Sequence, residues 1–211
     1  MAEVLLHTGD VELEGTLDVP DAADGVIVFA HGAGSSRLSP RNLAVATYLR
    51  QTGRFGTLLF DLLTPHEDSL YENRFDIGLL TERLVAACRW LQERPETRGV
   101  PLGLFGASTG AAAALRASVA VPELVAGVVS RGGRPDLAAG ALPLVSVPTL
   151  LIVGGADYQV IELNQRALAM MPAGLARLDV VPGATHLFEE RGALEEVARL
   201  TRDFFMEAFG F

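Results

Sequence analysis

A serine between two glycines is the residue of this chain with the clearest chemical potential. Ser108 stands in the run Gly106-Ala107-Ser108-Thr109-Gly110, after an apolar run that ends at Phe105 and before four consecutive alanines. The apolar run predicts a strand and the alanines predict a helix. Glycines two residues before and after the serine avoid steric overlap in a sharp strand-to-helix turn. The pattern therefore predicts a nucleophilic serine at the apex of that turn.

A serine hydroxyl needs a histidine base and a third group that orients the base. The chain has four histidines, and only His186 follows both Ser108 and an acid at the end of a predicted strand. That acid is Asp157, which follows two glycines and an alanine. The order serine, aspartate, histidine is typical of hydrolases whose site lies at strand ends. Asp61 also ends a predicted strand, but it precedes Ser108 and is the second candidate for the acid.

Acyl transfer also requires hydrogen-bond donors for the oxygen that becomes negative. The amide of Thr109 is one candidate, because the first amides of a helix carry partial positive charge. The second donor is expected in the small-residue loop after an early strand, where we favour the amide of Ala33, with Gly34 as the alternative. Gly32 and Gly34 let the backbone approach a substrate. We expect His31 to be structural, its ring bonding loop backbone.

Two arginines are predicted beside the same cleft, in the run Ser130-Arg131-Gly132-Gly133-Arg134. A guanidinium group suits the bidentate binding of carboxylate or phosphate. We therefore expect Arg131 or Arg134 to hold an anionic group of the substrate. The alternative is that these arginines pair with structural acids such as Asp61 or Asp136.

Unbroken apolar runs alternate with amphipathic stretches along most of the chain. A hairpin is predicted over 4–17. Further strands are predicted at 25–30, 56–60, 100–105, 124–129, 147–153 and 176–181. Helices are predicted at 40–51, 76–92, 109–120, 161–171 and 194–208, with a short helix near 136 and a loop at 65–68.

This alternation is typical of an α/β fold with a mostly parallel sheet and helices on both faces. The carboxyl ends of such strands form the site, which is where the candidate residues fall. We expect 1–211 to form a single domain. The segment 130–147 is too short for a lid domain, so we expect an open site and a small or exposed acyl substrate.

Bulk properties exclude several classes of function. The formal net charge is −9, which disfavours binding to nucleic acid and to anionic membrane surfaces. Cys88 is the single cysteine, the start lacks a signal-peptide pattern, and no apolar run approaches the ~18–20 residues of a membrane span. We therefore expect a cytoplasmic protein. The cluster at 66–68 lacks further ligands at recognisable spacing, so no metal is expected.

Four segments together resemble the alpha/beta-hydrolase superfamily, and within it the dienelactone hydrolase family. They are 31–34, 106–110, 154–157 and 183–186. The resemblance covers nearly the whole chain. It implies an eight-stranded sheet with one antiparallel strand near its start, and hydrolysis of esters, lactones or similar acyl compounds through an acyl-enzyme without a cofactor. It also implies relatives fused to phosphoribosyltransferase domains.

One departure from the family shapes the expected activity. Dienelactone hydrolases carry cysteine as the nucleophile, whereas this chain has Ser108, which favours a general carboxylesterase. An acyltransferase or thioesterase with the same triad is an alternative, as is an interaction module that has lost catalysis. The expected partner is a small-molecule acyl substrate. An exposed part of the aromatic tail 204–211 could also form a homodimer contact.

Overall fold

A single eight-stranded sheet forms the centre of the fold in this computed structural model, which describes all residues 1–211. The strands are β1 (Ala2–Thr8), β2 (Val11–Asp18), β3 (Gly25–Ala30), β4 (Phe55–Phe60), β5 (Leu102–Ala107), β6 (Val125–Arg131), β7 (Thr149–Gly154) and β8 (Ala176–Val181). Their order across the sheet is β1-β2-β4-β3-β5-β6-β7-β8.

Only β2 runs against its neighbours. It pairs antiparallel with both β1 and β4, whereas every other pairing in the sheet is parallel. The β1–β2 hairpin turns at Gly9, whose φ of 67° is a conformation that glycine adopts at no steric cost. The eight-stranded sheet with one antiparallel strand near its start is thereby confirmed.

Helices cover both faces of the sheet. They are α1 (Pro40–Arg50), α2 (Pro65–Ser69), α3 (Ile77–Glu93), α4 (Thr109–Ala120), α5 (Tyr158–Met170) and α6 (Ala193–Ala208). Alternate residues of β3 point into two separate cores, Val26 and Val28 into one and Ile27 and Phe29 into the other. Residues of α3, α4 and α5 complete the first core, and residues of α1 and α6 complete the second.

The last helix reaches its position because two strands lack side chains there. A Cβ atom at Gly103 would overlap the ring of Phe205, and one at Gly25 would overlap the ring of Phe209. The two rings stack on each other with their centroids 5.4 Å apart. The aromatic tail is therefore mostly docked against the sheet, as its sequence indicates. No helix in the structure combines the length and apolar character that crossing a membrane requires.

Several segments differ from their predicted limits, among them the following three. The predicted loop at 65–68 is the short helix α2, which Thr64 begins with a reciprocal capping box to Glu67. Strand β7 begins at Thr149 rather than 147, since Pro148 has no N–H for the ladder. Helix α5 begins at Tyr158, directly after Asp157, which is three residues earlier than predicted.

Candidate active site

Ser108 lies at the apex of the turn between β5 and α4, in a strained backbone conformation. Its φ is 51° and its ψ is −118°, and Phe188 is the only other non-glycine residue with positive φ. A Cβ atom at Gly106 would overlap the backbone of Ala111, and one at Gly110 would overlap the carbonyl oxygen of Ala30. Both glycines of the motif are therefore required sterically, as the sequence predicts.

His186 and Asp157 meet through a short hydrogen bond, with Nδ1 of the imidazole 2.7 Å from Oδ2 of the carboxylate. Asp157 occupies the N-cap position of α5, yet its side chain makes no capping hydrogen bond. The carboxylate thus serves the imidazole rather than the helix. Because an ionised carboxylate only accepts, Nδ1 must carry the proton. Nε2 is then free to accept a proton from another group.

The loop that carries His186 is held against the ends of β6 and β7. The amide of Ala156 donates to the carbonyl of Ala184 at 2.9 Å. A Cβ atom at Gly132, where φ is 51°, would lie 3.2 Å from the carbonyl oxygen of His186 and 3.4 Å from Cε1 of its ring. Phe188 is 1% exposed and packs into the core that α6 completes. The imidazole is therefore positioned by the packing of its loop as well as by its hydrogen bond to Asp157.

Ser108 and His186 are both joined to the end of β6. The amide of Ser108 donates to the carbonyl of Arg131 at 3.2 Å, and a Cβ atom at the next residue, Gly132, would lie 3.4 Å from Cε1 of the imidazole. Ser108 Oγ makes no hydrogen bond to the imidazole in this structure. Such bonds are often long without substrate and tighten in the reacting complex. The structure thus brings the candidate nucleophile and base to the same edge of the sheet.

Asp61, the second candidate for the acid, is engaged elsewhere. Its carboxylate accepts the backbone N–H of Arg37 at 2.7 Å and lies 3.5 Å from that residue's Nε. The imidazole of His186 bonds to Asp157 instead. The choice of Asp157 over Asp61 as the partner of the histidine agrees with this geometry.

His31 ties two loops together, as its expected structural role requires. Its Nε2 accepts the N–H of Leu62 at 3.0 Å, and its Nδ1 lies 3.0 Å from the carbonyl oxygen of Gly32. Since a ring nitrogen that accepts an N–H carries no proton, the neutral ring is protonated at Nδ1. Burial of the ring lowers the pKa of His31 below its ordinary value.

The loop after β3 lies directly against the nucleophile. A Cβ atom at Gly32 would lie 3.2 Å from Cβ of Ser108. The amide of Ala33, which the sequence favours as an oxyanion donor, instead donates to Thr109 Oγ1 at 2.8 Å. Gly34 adopts a φ of 69° in the exposed part of the same loop. Sequence reasoning missed the Ala33–Thr109 bond, although a hydroxyl directly after the nucleophile was a visible signal.

The two arginines behave differently. Arg134 makes a bidentate pair with Asp136, with its Nε and Nη2 at 2.9 and 2.8 Å from the two carboxylate oxygens. This is the pairing with a structural acid that the sequence offers as the alternative to substrate binding. Arg131 is 6% exposed and has no carboxylate within 4.0 Å. The only hydrogen bond of its guanidinium group goes from Nη2 to Asn42 Oδ1 at 3.3 Å, and the buried Nε of that group has no partner. The guanidinium carbon lies 5.9 Å from the ring centroid of Phe188.

The pKa of Arg131 reflects this burial. Removal from water, with a smaller contribution from the positive charge of Arg41, lowers the pKa of Arg131 to about 10. Arg41 itself pairs with Glu189 at 3.3 Å but leaves its buried Nε unpartnered. A buried cation without a carboxylate partner is costly in a folded protein. Arg131 therefore carries a buried positive charge that no carboxylate within 4.0 Å compensates.

The two acidic residues of the cluster at 66–68, which lies in α2, form ion pairs with arginines. Glu67 pairs with Arg83 at 2.7 Å, and Asp68 pairs with Arg74 at 2.8 Å. Cys88 is buried, and burial raises the pKa of its thiol to about 12. These residues therefore contribute to packing and surface structure in this fold.

The chain resembles proteins of known sequence along almost its whole length. The chain is 56% identical over 205 residues to the Mycobacterium tuberculosis H37Rv protein named "Putative phosphoribosyl transferase Rv0571c", covering 97% of this chain but 46% of that protein. The chain thus spans about half the length of the curated relatives that it matches.

Two solved structures show the same fold. A dienelactone hydrolase from Anabaena variabilis is 51% identical, with a TM-score of 0.93 over 98% of this chain and 96% of that one. Est1E from Butyrivibrio proteoclasticus is 14% identical, with a TM-score of 0.84 over the full length of both chains, and shares the fold alone. The family model described as "Dienelactone hydrolase family" matches residues 60–209. This chain belongs to the dienelactone hydrolase family, with an alpha/beta-hydrolase fold.

Proposed function

We propose that this chain is a cytoplasmic serine hydrolase that cleaves carboxylic esters, lactones or similar small acyl compounds through an acyl-enzyme. The observation that carries the proposal is the 2.7 Å bond from His186 to Asp157 at the sheet edge where Ser108 is held in a strained turn. Hydrolase family and fold support the general reaction. A serine nucleophile and carboxylesterase specificity are the finer parts of the proposal.

The first half of the reaction forms the acyl-enzyme. Nε2 of His186 takes the proton of Ser108 as its oxygen attacks the acyl carbon, and Asp157 stabilises the resulting imidazolium. The amide of Thr109, at the N-terminus of α4, donates to the oxyanion of the tetrahedral intermediate. Collapse of that intermediate expels the leaving group, which takes its proton from the imidazolium.

The second half returns the enzyme to its starting state. His186 now accepts a proton from water, whose oxygen attacks the acyl carbon of the ester formed on Ser108. Collapse releases the carboxylic acid and restores the serine hydroxyl. The name of the curated relatives refers to proteins about twice as long as this chain, so phosphoribosyl transfer is not proposed for it.

Replacement of the nucleophile tests this function. Ser108→Ala should abolish hydrolysis of a short-chain aryl ester and labelling by a fluorophosphonate probe. Ser118→Ala is the matched control, because it removes a serine hydroxyl from α4, the helix that follows Ser108. The Ser118 hydroxyl donates to the Leu115 carbonyl at 2.9 Å. Ser118→Ala should keep both properties. Turnover or labelling that survives in Ser108→Ala would show that another residue is the nucleophile.

The substrate, we further propose, carries an anionic group that contacts Arg131. This guanidinium belongs to the residue whose backbone carbonyl accepts the N–H of Ser108. It is buried, faces no carboxylate within 4.0 Å, and keeps an unused Nε donor. A carboxylate or phosphate oxygen would supply the missing charge and acceptor. Arg134 is not proposed for this role, since Asp136 already pairs with its Nε and Nη2.

A pair of arginine variants tests the anionic preference. Arg131→Met keeps most of the side-chain volume and removes the charge, and it should lower kcat/KM for a half-ester of a dicarboxylic acid about 10- to 100-fold relative to the neutral methyl ester. The range corresponds to the ~1.5–3 kcal/mol of a charge-assisted hydrogen bond. Arg134→Met is the matched control and should leave the ratio unchanged. An unchanged ratio in Arg131→Met would refute the anionic contact.

A further inference from the structure

The hydroxyl of Thr109 lies against the backbone amide that the sequence favours as the second oxyanion donor. Thr109 directly follows the nucleophile and is 3% exposed. Its Oγ1 is 2.8 Å from the amide nitrogen of Ala33, the group that sequence reasoning favours as the second donor. The hydroxyl therefore occupies the acceptor position of that amide.

The hydrogen bonds of this hydroxyl leave one donor unused. Its oxygen accepts the N–H of Ala33, and its own hydrogen has no acceptor within the protein. A hydroxyl can accept and donate at the same time. The amide of Ala33, by contrast, has a single hydrogen, which is already directed at Oγ1. The amide therefore cannot serve the substrate directly unless the threonine side chain rotates.

We propose that the Thr109 hydroxyl is the second oxyanion donor, with its O–H directed at the negative oxygen and its oxygen held and polarised by the Ala33 amide. This inference rests on the proposed serine hydrolase function. In each tetrahedral intermediate the oxyanion then receives two hydrogen bonds from one residue, the backbone N–H and the side-chain O–H of Thr109. The bond from Ala33 strengthens the hydroxyl as a donor, because hydrogen bonds in a chain polarise one another.

The position of the loop after β3 supports this geometry. The absent side chain of Gly110 lets the carbonyls of Ala30 and His31 approach the first turn of α4. His31 fixes the base of the same loop through Leu62. The hydroxyl of Thr109 is consequently held by a rigid neighbour, so little reorganisation is needed when negative charge develops.

Two substitutions separate the hydroxyl from the rest of the side chain. Thr109→Val keeps the shape and removes the O–H, whereas Thr109→Ser keeps the O–H and removes the methyl group. We expect kcat of Thr109→Val to fall about 10²- to 10³-fold, as for the loss of one oxyanion donor, with KM changed less than about threefold. Thr109→Ser should keep kcat within about fivefold. Thr109→Ala, which cannot overpack the site, should lose as much as Thr109→Val.

A second readout distinguishes a catalytic hydroxyl from a structural one. A trifluoromethyl ketone forms an oxyanion on the nucleophilic serine, so its affinity should fall in parallel with kcat in Thr109→Val. A purely structural loss would instead raise KM for the ester and weaken the ketone in Thr109→Ser as well.

Other outcomes overturn the inference. An unchanged or higher kcat in Thr109→Val would mean that the hydroxyl leaves the site and that Ala33 donates directly. Equal losses in Thr109→Val and Thr109→Ser would assign the effect to methyl packing. Wild-type protein that a fluorophosphonate does not label at Ser108 would overturn the hydrolase function itself, and this inference with it. Normal labelling with a fully active Thr109→Val would overturn this inference alone.

Discussion

Replacing Asp157 with Asn removes the negative charge opposite the imidazole and keeps the size of the side chain. The amide can then present its NH₂ group to Nδ1 of His186. A histidine facing a donor at Nδ1 carries its proton on Nε2, where it cannot accept the proton of Ser108. Asp157→Asn should therefore fold normally and react slowly.

The size of the loss follows from the site. Fixing the wrong tautomer in a serine triad lowers kcat by roughly 10⁴-fold, or about 5.4 kcal/mol in the activation barrier. In this protein the side chain of His186 is 39% exposed, and that of Asp157 is 15% exposed. Water can reach the imidazole and recover part of the correct tautomer. We therefore expect a loss of about 10³- to 10⁴-fold in kcat, with KM within about threefold.

Initial rates with an aryl ester, and the rate of fluorophosphonate labelling, both measure this effect. Asp61→Asn is the matched control, because it neutralises the other strand-end aspartate, whose partner is Arg37. It should lower the free energy of unfolding by about 1 kcal/mol and change kcat less than about threefold. If Asp61→Asn lost as much activity as Asp157→Asn, or if Asp157→Asn lost less than tenfold, the assignment of the orienting acid would be wrong.

Two further predictions concern stability. Gly106→Ala should lower the free energy of unfolding by ~1–3 kcal/mol in urea titrations, because its Cβ would overlap the backbone of Ala111. Gly140→Ala is the control and should leave the free energy of unfolding unchanged, because a Cβ there meets open space. Equal urea midpoints for the two variants would refute the steric argument. His31 has a lowered pKa in the folded protein, so the unfolded chain binds more protons below the ordinary value of 6.5, and stability should fall as pH drops through that value. His31→Gln should flatten this pH dependence between pH 5 and 7, and an unchanged slope would contradict a buried neutral ring.

The strand ends of this protein are readable from sequence because two physical rules coincide there. Strands covered on both faces are unbroken apolar runs, and the polar residue that follows each run must lie at the carboxyl edge of the sheet. The positions of Asp157 and His186 after their strands indicate, from the sequence alone, that both lie at this edge. The steric need for Gly106 and Gly110 is likewise local, so the turn around Ser108 followed from five residues.

The orientation of individual side chains and the shortest helix were not readable from the sequence. Arg131 and Arg134 look equivalent in sequence, yet one is buried without a carboxylate and the other is paired with a residue two positions away. Their difference depends on strand β6, where Arg131 is the last residue and its side chain points towards Phe188 and Asn42. The bond from Ala33 to Thr109 spans 76 positions and depends on a side-chain rotamer. The shortness of α2 hid that helix, because five residues give no periodicity.

The burial of Phe188, which holds a left-handed backbone conformation, makes the proposed base depend on the packing of the C-terminal helix. Phe188 follows His186 by two residues and is anchored among side chains of the C-terminal helix, including Val197 and Phe205. A substitution that loosens that helix would shift the imidazole before it melted the sheet. Heating or mild denaturant should accordingly silence the enzyme while most of its strands remain paired, which makes turnover an early reporter of damage to the C-terminal helix.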